Sequence, residues 1–361
     1  MLLRYYTCLW AVLIPIAPAA PFSNPKATQF LSPVNQHNAI HPLHQLDSRQ
    51  WFGSSEHSGK KIGRGKYEFG KKYQNVLQLR SQMDVRGNHD IFDASLDNKL
   101  TNKRTPRVAV KTSDSQEMIN RAKLVDLVDP VYVVKPIDYF KVQSQYFMIM
   151  PYLDQTFRDY IYCHGRGGSR VVLFLGQLIE GLAAMHRRGV KHRDIKLDNA
   201  MLDGDRAKWI DFDESTKDPT STQRIGTPGY IPPEQMEGLS YDALMGLNPF
   251  ASHTLDDPNT LHSRVSTSAG DIYSIGMMIL YSLLVPDTYL WFWEASAKWD
   301  TRQTAFNKLA KNEDLAGEGS RKLKEVIAGC ICSKPTDRWT VDELSAQFQA
   351  TREYRDAVGS R

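Results

Sequence analysis

Near Leu153 the hydrophobic pattern of the chain changes period. Before it come three short β-branched or aromatic runs, RVAVK (Arg107 to Lys111), PVYVVKPIDYF (Pro130 to Phe140) and QYFMIMPYL (Gln145 to Leu153), with the helical stretch SQEMINRAKLVDLV between the first two. After it, helical periods dominate: VVLFLGQLIEGLAAMHRRG (Val171 to Gly189), DIYSIGMMILYSLL (Asp271 to Leu284) and RKLKEVIAGCIC (Arg321 to Cys332). A small sheet lobe holding one helix, followed by a larger helical lobe, satisfies both patterns, and the expected class is α+β. No internal repeat interrupts that division.

The 361 residues exceed one typical domain but fit a single two-lobed enzyme. A hydrophobic share of 41% against 24% charged residues supplies enough apolar material for a core. The net charge of +4 is too small to point to nucleic acid as a partner.

MLLR, the apolar run YYTCLWAVLIPIA and the small-x-small signal Ala17-Pro18-Ala19 read together as a secretory signal peptide over residues 1–19. The competing reading is a membrane anchor. The run is shorter than the roughly 20 apolar residues that span a bilayer, and Pro15 and Pro18 interrupt it, so no stable membrane span is expected. Residues 20–50, rich in Pro, Asn, Gln and His, read as a flexible leader, with His37, His41 and His44 as solvated residues of that leader. Cleavage leaves Cys163, Cys330 and Cys332, an odd number that argues against a disulfide framework; the last two sit in VIAGCIC and read as buried core.

Two acidic stretches carry the chemistry. KHRDIKLDN (Lys191 to Asn199) is followed by WIDFDES (Trp209 to Ser215). They set an Asp beside an Arg, then a Lys and an Asn, then another Asp within twenty-five residues, a close gathering of carboxylates, an amide and cations. These stretches resemble the catalytic and metal-binding loops of the eukaryotic protein kinase family, whose pattern is HRD, then Lys and Asn, then DFG.

The resemblance implies the rest of a site. Asp194 would orient or deprotonate the acceptor hydroxyl, Lys196 would neutralise the γ-phosphate, and Asn199 and Asp211 would hold Mg²⁺, for which Mn²⁺ can substitute. Lys111 of VAVK would reach the α- and β-phosphates while Ala109 covers the adenine. Glu117, or Asn120 one helical turn on, stands where the family's partner of that lysine is expected. Met150 would lie behind the adenine, the Pro151 carbonyl and Leu153 amide would bond its edge, and Met201 would floor the pocket or belong to the core. GTPGYIPPE (Gly226 to Glu234) resembles the end of an activation segment, with Thr227 contacting Asp194 and Lys196, and Glu234 pairing with Arg338. Asp271 would order the catalytic loop or serve as a helix cap. Lys196 with Thr227 resembles the serine/threonine branch.

The pattern also departs from the family. IGRGKYEFG offers Gly63, Gly65 and Gly70 as a phosphate loop but has Glu68 where a third glycine is expected, and a surface turn is the alternative. DFG reads DFD, with Asp213 in place of glycine. Two polar stretches, about Arg80 to Arg104 and about Gly238 to Ala269, read as insertions that are disordered or serve a partner. A phosphate on Ser215, Thr216, Thr220, Ser221 or Thr222 would order the activation loop through Arg193. The resulting expectation is a bilobal kinase-like fold over residues 51–350, with a β-rich lobe to about 153, a helical lobe beyond it and a tail at 351–361. The expected activity is that of a secreted or lumenal serine/threonine protein kinase using ATP and Mg²⁺ on a protein substrate. The alternative is a pseudokinase-like scaffold; oligomeric state is not encoded in these motifs.

Overall fold

A computed structural model of the chain describes residues 77–86, 89–96, 107–142, 144–219, 226–227, 229–236, 267–284, 289–315 and 317–360. All of them fall in one unit, Lys66–Arg361. The signal peptide, the leader, Gly63, Gly65 and Gly70, and nearly all of the stretch from Gly238 to Ala269 lie outside the described residues.

The described residues open with an antiparallel sheet of β1 (Leu77–Arg86), β2 (His89–Leu96), β3 (Arg107–Ser113), β4 (Asp138–Val142) and β5 (Gln145–Pro151), in the order β1-β2-β3-β5-β4. The β-branched residues of VAVK suit its central strand, where Val108 and Val110 are fully buried. Most of the stretch read as an insertion at Arg80 to Arg104 is therefore sheet, since β1 and β2 occupy residues 80–86 and 89–96. Its polar residues obscured this. Asp93 is buried but accepts a hydrogen bond from Arg107 Nε at 3.0 Å, so its carboxylate is compensated.

PVYVVKPIDYF is not one strand. Val133 makes a lone parallel bridge to Trp209, and regular pairing begins only at Asp138, after Pro136, which has no N–H to give. The helix between β3 and β4 is also short: α1 (Glu117–Ala122) passes at once into a 3₁₀ turn, Lys123–Leu127.

The second half is helical: α2 (Phe157–His164), α3 (Ser169–Arg187), α4 (Pro233–Met236), α5 (Ser268–Leu283), α6 (Tyr289–Ser296), α7 (Arg302–Lys311), α8 (Arg321–Ile331), α9 (Val341–Gln349) and α10 (Arg352–Gly359). A small sheet, β6 (Gln155–Thr156), β7 (Ala200–Asp203) and β8 (Arg206–Trp209), frames the loop that holds HRD. The core gathers around α3, α5 and α8, the three long apolar helices, where Leu175, Leu178, Tyr273, Met277 and Ile327 are fully buried. Cys330 and Cys332 are fully buried, free thiols, and burial pushes both up, Cys332 to about 11. Residues read as a tail belong to this packing: Thr351 caps α10, and Ala357 and Tyr354 sit against the core.

Helix α8 leaves no room for a side chain at Gly329, where the Trp339 indole lies over the backbone and the Trp339 main-chain N–H donates to the Gly329 carbonyl at 2.8 Å. Gly329→Ala is expected to destabilise the protein by about 1–3 kcal/mol, because the new methyl must displace a packed ring. A fall in the urea denaturation midpoint without a change of slope would register it.

Candidate active site

The loop that carries HRD is fixed from beneath by one buried carboxylate. Asp271, in the first turn of α5, accepts the backbone N–H of His192 at 2.9 Å through one oxygen and that of Arg193 at 2.8 Å through the other. His186 Nε2 lies 2.9 Å from the first oxygen. The helix begins at Ser268 with Thr267 at its N-cap position, so Asp271 is not the cap; its carboxylate is turned to the loop. His192 in turn bonds the Ile210 carbonyl through Nε2 at 3.0 Å and packs against Trp209 and Phe212, tying HRD to DFD.

Among the described residues only two non-glycines have positive φ, Arg193 at 68° and Asp211 at 61°, one in each acidic motif. Such backbone persists only where surrounding bonds fix it. Arg193 has the Asp271 carboxylate on its N–H, and its own Nε donates to the Glu214 carbonyl.

Burial works against the ionised form of Asp271, but the His186 contact and the loop amides outweigh it and hold the carboxyl below the usual aspartate range. A depressed folded-state value contributes stability above the ordinary aspartate value and loses it as pH falls through the folded one. The stability advantage of the wild type over Asp271→Asn is therefore expected to shrink below about pH 4, as urea titrations at pH 7 and pH 3 would measure.

Above that support, Asp194, Lys196, Asn199 and Thr227 meet. The Thr227 hydroxyl donates to Asp194 Oδ1 at 2.8 Å, Lys196 Nζ lies 2.7 Å from Asp194 Oδ2, and Lys196 Nζ also donates to Thr227 Oγ1 at 2.8 Å. The Asn199 amide donates to Asp194 Oδ2 and to its carbonyl, both at 2.8 Å. The two segments that carry these residues lie about thirty positions apart in sequence, yet the side chains form one closed polar cluster.

Lys111 reaches across from β3. Its Nζ donates to Asp211 Oδ1 at 2.9 Å and to Asp213 Oδ2. Burial works against the ammonium, but the two carboxylates hold its pKa above the usual lysine range. Ala109 pairs with Met150 and Val108 with Pro151 across β3 and β5, and Met201 lies on β7 opposite Lys208 and Thr156. Ala109, Met150, Leu153 and Met201 are half-buried and Pro151 is exposed, so none of the five is sealed in the core.

Glu117 is not with Lys111. Its carboxylate, 55% exposed, accepts from Arg121 Nε at 2.9 Å one turn along α1, and from the Asn120 amide at 3.3 Å. Asn120 is exposed as well, so neither of the two expected positions supplies the lysine's partner. The physical reason is local: Glu117 opens a six-residue helix, and a Glu followed four residues later by an Arg satisfies itself. Arg121 and Asp213 replace the expected contact; the sequence signals for them are the Glu117-to-Arg121 spacing and the acid at the third position of DFD.

Ser215 is a second correction. It is buried, and its hydroxyl donates to the His192 carbonyl at 3.2 Å, which removes it as an exposed phosphate acceptor. Thr216 pairs with Lys191 in an isolated antiparallel bridge, while Thr220, Ser221 and Thr222 lie outside the described residues. Glu234 and Arg338 do meet, in a bidentate pair at 2.8 and 2.6 Å.

A magnesium ion fits the donor set. With its amide nitrogen turned to Asp194, Asn199 has its carbonyl oxygen left for a metal, and Asp211 adds a carboxylate; both are the hard oxygens that Mg²⁺ takes. No cluster of three His, Cys, Asp or Glu ligands exists among the described residues, so an ion here would depend on phosphate oxygens and water for the rest of its shell.

The protein kinase domain model matches residues 91–246, from β2 through α4 and fewer than half of the chain's residues. The fold is that of a protein kinase. Among the described residues a sheet lobe with one α-helix precedes a helical lobe, and the matched segment holds Lys111, Asp194, Asn199, Asp211 and Thr227. Among curated proteins, the kinase-fold chain is similar to Aurora kinase A-A of Xenopus laevis, 25% identical over 243 residues, or 62% of this chain and 56% of that one. A probable serine/threonine-protein kinase of Dictyostelium discoideum is 28% identical over 152 residues, 38% of this chain and 18% of that one. Probable serine/threonine-protein kinase 2 of Plasmodium falciparum is 25% identical over 248 residues, 65% of this chain and 43% of that one. The chain thus spans about half, or less, of the length of these relatives.

Proposed function

We propose that the protein is a serine/threonine protein kinase that transfers the γ-phosphoryl group of ATP to a protein hydroxyl, and that it acts outside the cell or in the secretory lumen. The observation that carries the activity is the closed cluster of Asp194, Lys196, Asn199 and Thr227.

In this reading the acceptor hydroxyl approaches Asp194, whose carboxylate takes its proton as the oxygen bonds to phosphorus and the bond to the ADP oxygen breaks. Lys196 neutralises charge on the phosphoryl group in flight, and Thr227 keeps the Asp194 carboxylate oriented between the two. Lys111 holds the α- and β-phosphates. Asn199 and Asp211 would hold Mg²⁺, which supplies charge neutralisation on the phosphate oxygens.

The branch is tested with peptides identical except for the acceptor: transfer to serine and threonine, with none to tyrosine, is expected of the full chain, and transfer to tyrosine alone would overturn it. The secretory reading rests on the apolar run before Ala17-Pro18-Ala19. Native protein whose N-terminus is Ala20 supports it, and an N-terminus at Met1 would overturn it.

A further inference from the structure

The kinase fold ordinarily pairs the lysine of its third strand with an acid from the helix that follows. Here that helix presents the opposite charge. Arg121 of α1 donates from Nη1 to the Asp213 carbonyl and to the Glu214 carboxylate, the latter at 3.2 Å, while its Nε holds Glu117 on the outer side. Glu214 is further bound through its carbonyl, which accepts from Arg193 Nε of HRD. Asp213, between these anchors, sends its carboxylate to Lys111. Asp213 is also not a glycine position in disguise: it is absent from the positive-φ residues, so its backbone is one that any L side chain adopts.

We propose that Asp213 is the positioning carboxylate of Lys111, replacing the helix acid, and that Arg121 locks it in place by joining α1 to the DFDE segment. This rests on the kinase reading for its catalytic consequence but not for its geometry. The assignment divides the labour between two acids on Lys111. Asp211 is the carboxylate that a metal would take, and Asp213 keeps the ammonium in place when it does. The departure from DFG is then a relocation of the lysine's acid from the helix to the DFDE segment, with the helix joined to that segment by the Arg121 cation instead.

The test compares the full chain with Asp213→Asn, Asp213→Gly, Asp213→Glu and Glu117→Gln. One readout needs no catalysis: acylation of Lys111 by an amine-reactive ester, without nucleotide, followed by mass spectrometry. Asp213→Asn and Asp213→Gly are expected to raise the Lys111 acylation rate about fivefold or more, because a side chain that loses one of the two carboxylates holding it in its buried position is more mobile and more accessible to the ester. Glu117→Gln is expected to leave it unchanged. The second readout is steady-state phosphotransfer: both variants are expected to lose about tenfold or more in kcat with the ATP KM changed less than about threefold, and Asp213→Glu to recover part of the loss. Glu117→Gln is expected to keep both constants.

Asp213→Gly is the sharpest variant, since it restores the residue of the family pattern. A glycine variant as active as wild type, with Lys111 acylated no faster, would overturn the proposal. So would a Glu117→Gln variant that acylates and loses activity as the Asp213 variants do. If no form of the chain transfers phosphate, the kinase reading fails and the acylation rates alone decide the role of Asp213.

Discussion

Replacing Asp194 by asparagine is expected to lower kcat by about 10²–10⁴-fold while the KM for ATP changes little. The asparagine carbonyl can still accept the Thr227 hydroxyl, which donates to Asp194 Oδ1 at 2.8 Å. It cannot take the acceptor's proton. Nor can it offer the second oxygen, which receives both Lys196 at 2.7 Å and the Asn199 amide at 2.8 Å. Nucleotide contacts in this reading run through Lys111 and Asp211, which the substitution leaves alone. Initial rates across an ATP series measure the two constants separately, and a variant within about threefold of the wild-type kcat would remove Asp194 from the reaction.

The largest expected loss of stability lies elsewhere, at Arg338. Its side chain has no exposed area, and all five of its N–H donors are used: two on the Glu234 carboxylate and one each on the carbonyls of Ala269, Cys332 and Ser333. Arg338→Leu leaves three carbonyls and a largely buried carboxylate without their partner, and is expected to cost about 3–5 kcal/mol. Arg338→Lys is expected to lose most of the same amount, because a point ammonium cannot match a fork that meets a carboxylate bidentately. Pairing Arg338→Leu with Glu234→Leu should be milder than Arg338→Leu alone, since it no longer leaves a buried charge unmatched. Urea denaturation midpoints of the three variants check the order, and a single Arg338→Leu within about 1 kcal/mol of wild type would contradict it.

The parts of this site that were legible in sequence are those whose geometry is local to a motif or whose chemistry leaves few choices. HRD-x-K-x-x-N places Asp194, Lys196 and Asn199 within six residues, and the cluster they form follows from that short span. Glu234 and Arg338, though 104 residues apart, were legible because a buried carboxylate requires a cation and PTDRWT supplies one.

What was not legible depends on competition between partners. As the one Glu of its helical stretch, Glu117 is the acid the sequence offers to Lys111, with Asn120 at the position that spacing gives, but the choice between Lys111 and Arg121 is made by helix length and by the acid at position 213, neither of which a motif encodes. The strands at 77–86 and 89–96 were hidden by their own polar residues; Asp93 reads as loop until Arg107 is seen beside it across the strand pair. Ser215 reads as an exposed loop hydroxyl until the carbonyl it serves, that of His192, is known.

The first measurement incubates the full chain with ATP, Mg²⁺ and a generic basic protein, beside Asp194→Asn, and maps phosphate on the acceptor by mass spectrometry. Phosphoserine or phosphothreonine that forms with the wild type and is lost in the variant is the expected result. A folded wild type that leaves the acceptor unmodified, or a variant that modifies it equally, would contradict the assignment of phosphoryl transfer to the Asp194 cluster and favour a scaffold built on the kinase fold.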